Sequence, residues 1–260
     1  MTKARLSLRT RAAIEWLLGL VCLALGLTAQ AQEVNVAVAA NFAQPMKLLA
    51  QRFEQESGYR TRLSVGATGT LYAQIKSGAP FDVLLAADEY TPARLENEKA
   101  TVAGTRFTYA TGRLVLWSAR ADAVGAQGDV LKTGNFQHLA LAAPKLSPYG
   151  AAAVQTLNKL ALTQQLRPRW VVGQSVNQTY GFVASGSAEL GFMALSQVFH
   201  NGKISHGSAW LVPADLHEPL RQDAVLLARA ARNPAAKALL DFLKTQESKA
   251  VIRSFGYETS

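Results

Sequence analysis

The sequence predicts an α/β fold made of two similar units. In the first third of the chain, short apolar runs that favour β-structure alternate with amphipathic helical stretches, in the order β-α-β-α-β-α. Strands that alternate with helices in this way pair in parallel and carry helices on their faces. The same alternation returns between residues 139 and 195. Ligands of such sheets bind beyond the carboxyl ends of the strands, so the turns at those ends are candidate sites.

Three strands are predicted in the first unit, at residues 34–40, 59–65 and 81–87. Asn41 follows the first strand and is predicted to cap the next helix, because asparagine side chains accept hydrogen bonds from the first backbone N–H groups of helices. Asp88 ends the third strand, and we expect it to cap the helix that follows. Asn41 and Asp88 therefore both lie at the predicted ligand-binding edge of the sheet.

The second unit repeats this arrangement. Its strands and helices are predicted at residues 139–143, 151–162, 170–172, 178–184 and 190–195. Two loops, 144–150 and 173–177, each join a strand to the following helix. The remaining elements are predicted as β-runs at 113–118, 209–212 and 222–228, an amphipathic helix at 234–245 and a short terminal helix that ends near 255–257.

One loop has the composition of an anion-binding turn, Ser64-Val-Gly-Ala-Thr-Gly-Thr70. It joins a predicted strand to a predicted helix, so it presents backbone N–H groups, hydroxyls and the positive end of a helix dipole to one point. It lacks the lysine of a nucleotide-binding phosphate loop, and nucleotide binding is therefore not predicted. A turn of this kind more often only connects a strand to a helix. It indicates a binding site only if other turns of the same kind lie beside it in the fold.

The N-terminus has the pattern of a cleaved secretory signal peptide, residues 1–31. Four basic residues precede an apolar stretch at 16–27, and Ala29 and Ala31 form a small-residue cleavage motif. The stretch is short for a membrane span, and an uncleaved anchor is the alternative. The only cysteine, Cys22, lies inside this segment, so the exported chain has no disulfide and needs a packed core. We therefore expect a periplasmic protein, with cleavage near Ala31.

Charge and residue spacing exclude several classes of function. The chain has 27 Lys and Arg against 18 Asp and Glu, a net charge of +9, which falls to +6 when the four basic residues and Glu15 of the signal segment leave. The remaining basic residues are scattered and not interleaved with aromatics, so we predict no nucleic-acid partner. The four histidines lack metal-ligand spacing and no GxSxG turn occurs, so neither a metal site nor a hydrolase nucleophile is predicted.

Several motifs give the chain a resemblance to a known family. They are Val38-Ala-Ala-Asn-Phe42, Gly78-Ala-Pro-Phe-Asp-Val-Leu-Leu-Ala-Ala-Asp88, Phe107-Thr-Tyr-Ala-Thr-Gly-Arg-Leu-Val-Leu-Trp117, Ser147-Pro-Tyr-Gly150, Ser175-Val-Asn-Gln178 and Leu190-Gly-Phe-Met193. With these motifs the chain resembles the molybdate-binding periplasmic proteins of ABC importers, from Val34 to Tyr257. The second motif is common to type II solute-binding proteins, whereas the Ala-Asn-Phe, Pro-Tyr-Gly and Ser-Val turns are more specific.

The resemblance implies a two-lobed type II periplasmic binding protein fold, in which each lobe is a mainly parallel sheet flanked by helices. Lobe one would comprise residues 32–114 plus 222–260, and lobe two residues 115–221, with the ligand cleft between them. The chain would cross between the lobes near residues 113–117 and 221–228.

The resemblance also implies a site of neutral donors at strand-to-helix turns. The matching positions are Ala40, Asn41, Thr68, Tyr149 and Val176, which would bind molybdate oxygens through backbone N–H groups and uncharged side chains. Molybdenum would have no direct protein ligand, since it would be held as an oxyanion at Thr68 and Val176. No cofactor is expected.

Three positions depart from the family pattern. Ala40 lies where the related branch has a hydroxyl residue, so one side-chain donor is lost while the backbone N–H remains. Thr68 replaces a serine and keeps a hydroxyl. Phe192 and Met193 lie in a strand in which some relatives have a tyrosine, and we expect Tyr149 to serve instead.

The function implied is that of the periplasmic substrate-binding component of a molybdate importer, a monomer that also binds tungstate and delivers its ligand to a membrane permease. One alternative is a receptor for another small anion on the same fold, such as sulfate, phosphate or an organic anion. The other is a secreted enzyme on this scaffold, for which Asp88, near Asp82 and Glu89, is the candidate acid. Because no catalytic motif is present, we expect binding without chemistry and no enzyme.

Overall fold

The structure is a computed structural model that describes residues 32–200 and 202–260. The predicted signal peptide, residues 1–31, lies outside the described residues together with Cys22. In the part of the chain that the structure describes, no helix has the length and apolar character needed to cross a membrane.

The first strands and helices follow the predicted alternation. They are β1 (Glu33–Ala39), α1 (Ala43–Ser57), β2 (Arg60–Gly66), α2 (Thr68–Lys76), β3 (Val83–Leu85), α3 (Tyr90–Asn97) and β4 (Phe107–Gly112). A single 3-10 turn, Ala40–Phe42, links β1 to α1. The Gly/Thr loop of the sequence is shorter than predicted, because α2 already begins at Thr68.

The middle of the chain contains the second set of strand-to-helix turns. Its elements are β5 (Leu114–Ser118), α4 (Val130–Thr133), β6 (Leu139–Ala142), α5 (Pro148–Lys159), α6 (Thr163–Leu166), β7 (Trp170–Gly173), α7 (Val176–Ala184) and β8 (Leu190–Ala194). Two helices begin earlier than predicted, since Ser147 and Ser175 cap them. Pro148 occupies the first position of α5, where a missing N–H costs no intrahelical bond.

The last elements are β9 (Phe199–His200), β10 (Lys203–Ile204), β11 (Ser208–Leu211), β12 (Leu220–Leu226), α8 (Pro234–Leu243) and α9 (Gln246–Ser254). They complete the second sheet with β11 and then return the chain to the first with β12. The short antiparallel pair β9–β10 was not predicted from the sequence. Asn233 caps α8 by accepting from the N–H groups of Ala235 and Ala236.

The strands form two five-stranded sheets, in the orders β2-β1-β3-β12-β4 and β11-β5-β8-β6-β7. In the first sheet β1 pairs in parallel with β2 and β3, whereas β12 is antiparallel to β3 and β4. The second sheet likewise combines parallel and antiparallel pairs. The sheets are therefore mixed, where mainly parallel sheets were predicted. The reason is the connectivity, because parallel neighbours need a crossover connection within one sheet. At β4 and β12 the chain passes between the two sheets and makes no such crossover.

Each sheet has its own buried core. In the first lobe, α1, α8 and α9 pack against one face of the sheet with side chains such as Phe53 and Leu239. In the second lobe, Leu141 and Phe192 belong to a comparable cluster. Full burial of one such side chain contributes about 1.5–3 kcal/mol, so these clusters hold the lobes together. Ala40 of the first lobe also packs into the second cluster, so the two lobes share apolar contacts.

The two lobes are in direct contact across the cleft. The backbone N–H of Gly69 donates to the carbonyl oxygen of Leu146 at 2.9 Å. The hydroxyl of Ser196 donates to the carbonyl oxygen of Asn41 at 2.8 Å. Both bonds join a first-lobe residue to a second-lobe residue, so this is a closed arrangement.

Candidate anion-binding site

A small cavity lies between the lobes, where strands of both sheets end. Its lining consists of Ala39, Ala40, Asn41, Ala67, Thr68, Ala87, Ser147, Pro148 and Val176. None of these lining residues has a charged side chain. The cavity is therefore built from backbone groups, methyl groups and neutral polar side chains of both lobes.

The structure brings the residues named in the sequence together at this cavity. Ala40, Asn41, Thr68 and Val176 line it directly, the first three from one lobe and the last from the other. Tyr149 follows the lining residue Pro148 in the first turn of α5. All five residues are at most 5% exposed, so a ligand held here would be removed from bulk water.

Three helices begin at the cavity. Thr68 is the first residue of α2 and Val176 the first of α7, while Tyr149 is the second residue of α5. The N–H groups of a helix's first turn have no acceptor within the helix, and the helix dipole is positive at that end. The three helices therefore direct N–H donors and partial positive charge into one small space.

Serine caps select which N–H groups face the cavity. Ser147 accepts from the N–H of Gly150, and Ser175 accepts from the N–H of Gln178, each the third residue of its helix. The caps thus satisfy donors farther along each helix. The N–H groups of Tyr149 and Val176, nearer the helix starts, remain for a ligand.

Thr68 contributes a side-chain donor as well as its N–H. Its hydroxyl oxygen accepts from the N–H of Ala87 at 3.0 Å, which ties it to the end of β3. A hydroxyl has one hydrogen and two acceptor positions, so the Thr68 hydrogen is available to donate to an anion. The bond to Ala87 therefore orients this donor as well as satisfying a buried N–H.

Asn41 uses its side chain for a different purpose from the one predicted. The residue lies inside the 3-10 turn, and α1 begins after Phe42 without a side-chain cap, so the predicted N-cap role is wrong. Its amide nitrogen donates instead to the Gln222 side-chain oxygen and to the Tyr257 hydroxyl, both at 2.9 Å. An amide has two N–H donors, so neither is left to replace the hydroxyl that Ala40 lacks. What Asn41 offers a ligand is its backbone N–H.

The hydroxyl of Tyr149 belongs to the same polar cluster. It accepts from the Gln222 side-chain nitrogen at 3.0 Å, which ties the Tyr149 side chain to the crossing strand β12. Burial, reinforced by the neighbouring Tyr257 and Tyr109, raises the pKa of Tyr149 well above its ordinary value. Burial likewise raises the pKa of Tyr257 to about 12. These phenols stay neutral at physiological pH and add no charge beside the cavity.

The Pro-Tyr-Gly turn requires its glycine for a steric reason. A Cβ atom on Gly150 would overlap the carbonyl oxygen of Ala142 at the end of β6. The backbone of α5 therefore approaches the strand more closely than any side chain would allow. This contact places the first turn of α5, with Tyr149, directly over the strand ends.

A larger cleft of about 300 Å³ adjoins the cavity and shares Ala87, Ser147 and Pro148 with it. Its lining mixes acidic and basic side chains, namely Asp88, Glu89, Lys145, Glu218 and Arg221. Carboxylates at this surface oppose a dianion, so the uncharged cavity is the better oxyanion site. Groups of three or more His, Cys, Asp or Glu that could hold a metal ion do not occur within residues 32–200 and 202–260.

Glu89, and not Asp88 as predicted, occupies the N-cap position of α3, but the Asp88 side chain still accepts from a residue of the first turn. One carboxylate oxygen accepts from the N–H of Thr91 at 2.7 Å and the other from the Thr91 hydroxyl at 3.2 Å, at the start of α3. Burial raises the pKa of Asp88 above its ordinary value, and the charge of Asp223 adds to this, although the hydrogen bonds from Thr91 act against it.

We expect Asp88→Asn to be at least as stable as the wild type at neutral pH. A raised carboxyl pKa contributes stability below the unfolded-state pKa, and this is lost as pH rises through the folded-state pKa. Asparagine keeps an acceptor for the Thr91 N–H without the buried charge. Unfolding temperatures at neutral and acidic pH measure this; the advantage of the variant should shrink in acid. A variant that is less stable only at neutral pH would contradict this account.

The polar cluster around Gln222 was not found from the sequence. It includes Tyr109, Ser196 and Tyr257, which lie far apart along the chain and meet only in the fold. The available signal was a pair of consecutive polar residues, Gln222 and Asp223, at the head of an otherwise apolar β-run.

Two lobes that close on a buried, donor-lined cavity define a two-lobed solute-binding protein of the type II fold. The sequence model of the bacterial extracellular solute-binding proteins matches residues 34–258. The chain belongs to this family.

Proteins named for molybdate binding are among its relatives. The molybdate-binding protein ModA of Azotobacter vinelandii is 56% identical over 233 residues, which cover 90% of this chain and 92% of that protein. The protein of the same name from Rhodobacter capsulatus is 48% identical over 235 residues, with the same coverage. The solved structure of the periplasmic molybdate-binding protein of Azotobacter vinelandii superposes with a TM-score of 0.85 at 39% identity, covering 87% of this chain and 99% of that one. The resemblance stated from the motifs is confirmed.

Proposed function

We propose that this chain is the periplasmic substrate-binding component of a molybdate importer. The observation that carries the proposal is the donor set of the cavity, in which neutral groups from helix starts in both lobes converge on a space without charged side chains. The two relatives named for molybdate binding, at 56% and 48% identity, support the choice of ligand.

Molybdate suits such a cavity because it is a tetrahedral dianion that only accepts hydrogen bonds. Backbone N–H groups and the Thr68 hydroxyl provide donors, and the starts of α2, α5 and α7 provide partial positive charge. The lining residues named above include no lysine or arginine, so no cationic side chain competes with these donors for the ligand's oxygens. Molybdenum therefore needs no direct protein ligand, and no cofactor takes part.

Size and proton content separate molybdate from the alternative anions. The cavity is small and its lining residues other than Pro148 are buried, so it excludes larger organic anions. Hydrogen phosphate carries an O–H that needs an acceptor in a lining dominated by donors. Sulfate has the same shape and charge as molybdate but is smaller, so a rigid set of donors favours the larger ion. Tungstate matches molybdate in shape and charge and should bind as well.

Closure of the lobes would complete the site. We assign residues 32–114 plus 222–260 to lobe one and residues 115–221 to lobe two, with the crossings beside β5 and β12. Asn41 and Thr68 then approach Tyr149 and Val176 when the cleft closes. An anion that contacts both lobes binds the closed form better than the open form and shifts the population toward it. The closed, loaded protein is what a membrane permease would receive.

The chain binds its ligand without turnover: Asp88, the candidate acid, is bonded to Thr91 and does not line the small cavity. It acts as a monomer in the periplasm, after removal of residues 1–31.

A thermal-shift screen with molybdate, tungstate, sulfate and phosphate tests the proposal. A ligand at a hundred times its dissociation constant adds about 2.7 kcal/mol to the free energy of unfolding. Molybdate and tungstate should therefore raise the unfolding temperature at concentrations at which sulfate and phosphate do not. Equal stabilisation by sulfate and molybdate at equal concentration would show that the assignment of the ligand is wrong.

A further inference from the structure

A fully buried glutamine, Gln222, lies at the centre of the polar cluster behind the cavity. It is part of β12, where the pairing with β4 shifts register between Gln222 and Asp223. Such a β-bulge reorients side chains locally. Gln222 and Asp223 are both buried but in different surroundings, and the Gln222 side chain faces the polar cluster.

The two ends of the Gln222 amide contact different lobes. Its oxygen accepts from the Asn41 amide nitrogen at 2.9 Å and lies 3.0 Å from the Tyr109 hydroxyl, both in the first lobe. The single Tyr109 hydroxyl hydrogen is shared between this oxygen and the Ala86 carbonyl oxygen at 2.9 Å. Its nitrogen donates to the Tyr149 hydroxyl at 3.0 Å, in the second lobe. Glutamine is suited to this position because one side chain supplies both an acceptor and a donor.

A second set of bonds continues from Asn41 to the far lobe. The Tyr257 hydroxyl lies 2.8 Å from the Asn41 carbonyl oxygen and 3.0 Å from the Ser196 hydroxyl. The Ser196 hydroxyl donates to the same Asn41 carbonyl at 2.8 Å. Asn41 is therefore held through both its side chain and its backbone, which fixes the direction of its N–H.

The cluster has no room to adjust. A Cβ atom on Gly112, the last residue of β4 before the chain crosses to the second lobe, would overlap both the Tyr149 hydroxyl and the Gln222 amide. The bond between Gln222 and Tyr149 thus packs directly against the backbone at the crossing. A close-packed arrangement of this kind transmits small displacements instead of absorbing them.

We propose that Gln222 is a positioning residue for the anion site, which holds the Asn41 backbone in lobe one and the Tyr149 ring in lobe two in their closed-state orientation. It touches no ligand itself and acts through these two neighbours. The inference rests on the proposed function, because the donors that it positions are those assigned to the anion.

The groups around Gln222 are uncharged. A charge introduced at this position by substitution therefore provides a test of its role. The phenols that surround it are Tyr109, Tyr149 and Tyr257, and burial raises the pKa of each. Two carboxylates act on Tyr109 of this cluster: Asp88, which accepts from the Thr91 N–H, and Asp223, which pairs with Arg106 at 2.8 Å and accepts from Thr108 at 2.7 Å.

Gln222→Glu and Gln222→Leu separate positioning from general stability. A carboxyl group buried here should have a raised pKa, since buried glutamates reach about 8–9. Below that value the neutral acid has the shape of glutamine and can donate to Tyr149; above it the carboxylate loses that donor and repels the dianion. Leucine has neither donor nor acceptor at any pH. Gln51→Glu, on the exposed face of α1, is the matched control for the charge change.

The experiment is a calorimetric titration of each protein with molybdate at about pH 6 and about pH 9, with unfolding temperatures recorded to establish that each variant folds. Wild type and Gln51→Glu should have the same affinity at both pH values. Gln222→Leu should bind about tenfold or more weakly at both. Gln222→Glu should bind nearly as well as the wild type at the lower pH and about tenfold or more weakly at the higher.

Tyr149→Phe provides a second test, because it removes the partner of the Gln222 nitrogen and keeps the Tyr149 N–H. It should also weaken binding. Affinity in Gln222→Glu that does not change with pH, or wild-type affinity in both Gln222→Leu and Tyr149→Phe, would overturn the positioning role alone. A wild-type protein that bound no molybdate would overturn the proposed function, and the inference with it.

Discussion

Replacing Thr68 with valine should weaken molybdate binding by about 10- to 150-fold, which corresponds to the loss of a hydrogen bond to a charged partner of about 1.5–3 kcal/mol. The Thr68 hydroxyl is the one side-chain donor of the first lobe that the geometry leaves for the anion, since the Asn41 amide is bonded to Gln222 and Tyr257. Ala40 has no hydroxyl to compensate. Calorimetric titration measures the change.

The same substitution should also lower the free energy of unfolding by about 1–3 kcal/mol, because the buried N–H of Ala87 loses its acceptor. Thr68→Ser is the matched control, since serine keeps the hydroxyl at nearly the same place. It should bind nearly as well as the wild type. Unchanged affinity in Thr68→Val, in a folded protein, would remove Thr68 from the site.

Val176→Pro should produce a loss of affinity of similar size, about 10- to 150-fold, by deleting a backbone donor without disrupting a helix. Val176 is the first residue of α7, a position at which proline is tolerated because its N–H has no acceptor within the helix. Ser175 is already extended, with φ −151° and ψ 167°, as a residue before proline must be. The chain uses the same Ser-Pro pair at the start of α5.

Val176→Ala is the control for this experiment, because it removes most of the buried side chain and keeps the N–H. It should lower the unfolding temperature with little effect on affinity. If the alanine and proline variants bound molybdate equally, the Val176 N–H would not contact the ligand. If circular dichroism showed that proline unfolds α7, the comparison would instead rest on the Thr68 pair.

The strand-to-helix turns could be predicted from the sequence because their signals are local. Apolar runs, helix periodicity and Gly, Ser and Thr at the junctions placed Thr68, Tyr149 and Val176 at the ends of strands. The packing of parallel strands then brings such ends to one edge of each sheet. The structure starts α5 and α7 earlier than the sequence predicts. Ser147 and Ser175, which cap these helices, lie in stretches whose composition is also typical of loops.

The polar cluster could not be predicted because its bonds depend on tertiary contacts. Asn41 is a strong helix cap by propensity, yet its amide pairs with Gln222, which is 181 residues away. The polar pair Gln222 and Asp223 is the only local trace of the bulge in β12, and it does not reveal which partners the two side chains contact. The antiparallel pairs of both sheets likewise follow from the two crossings of the chain and not from the periodicity of any strand.

A crystal structure of the protein with molybdate, using the anomalous scattering of molybdenum, is the most direct measurement of the central claim. The account predicts one molybdenum position between Thr68 and Val176, with the anion's oxygens about 2.7–3.2 Å from the N–H nitrogens of both lobes and no protein atom bonded to the metal. A molybdenum position in the adjoining cleft beside Lys145 and Arg221, or direct coordination by a side chain, would contradict it.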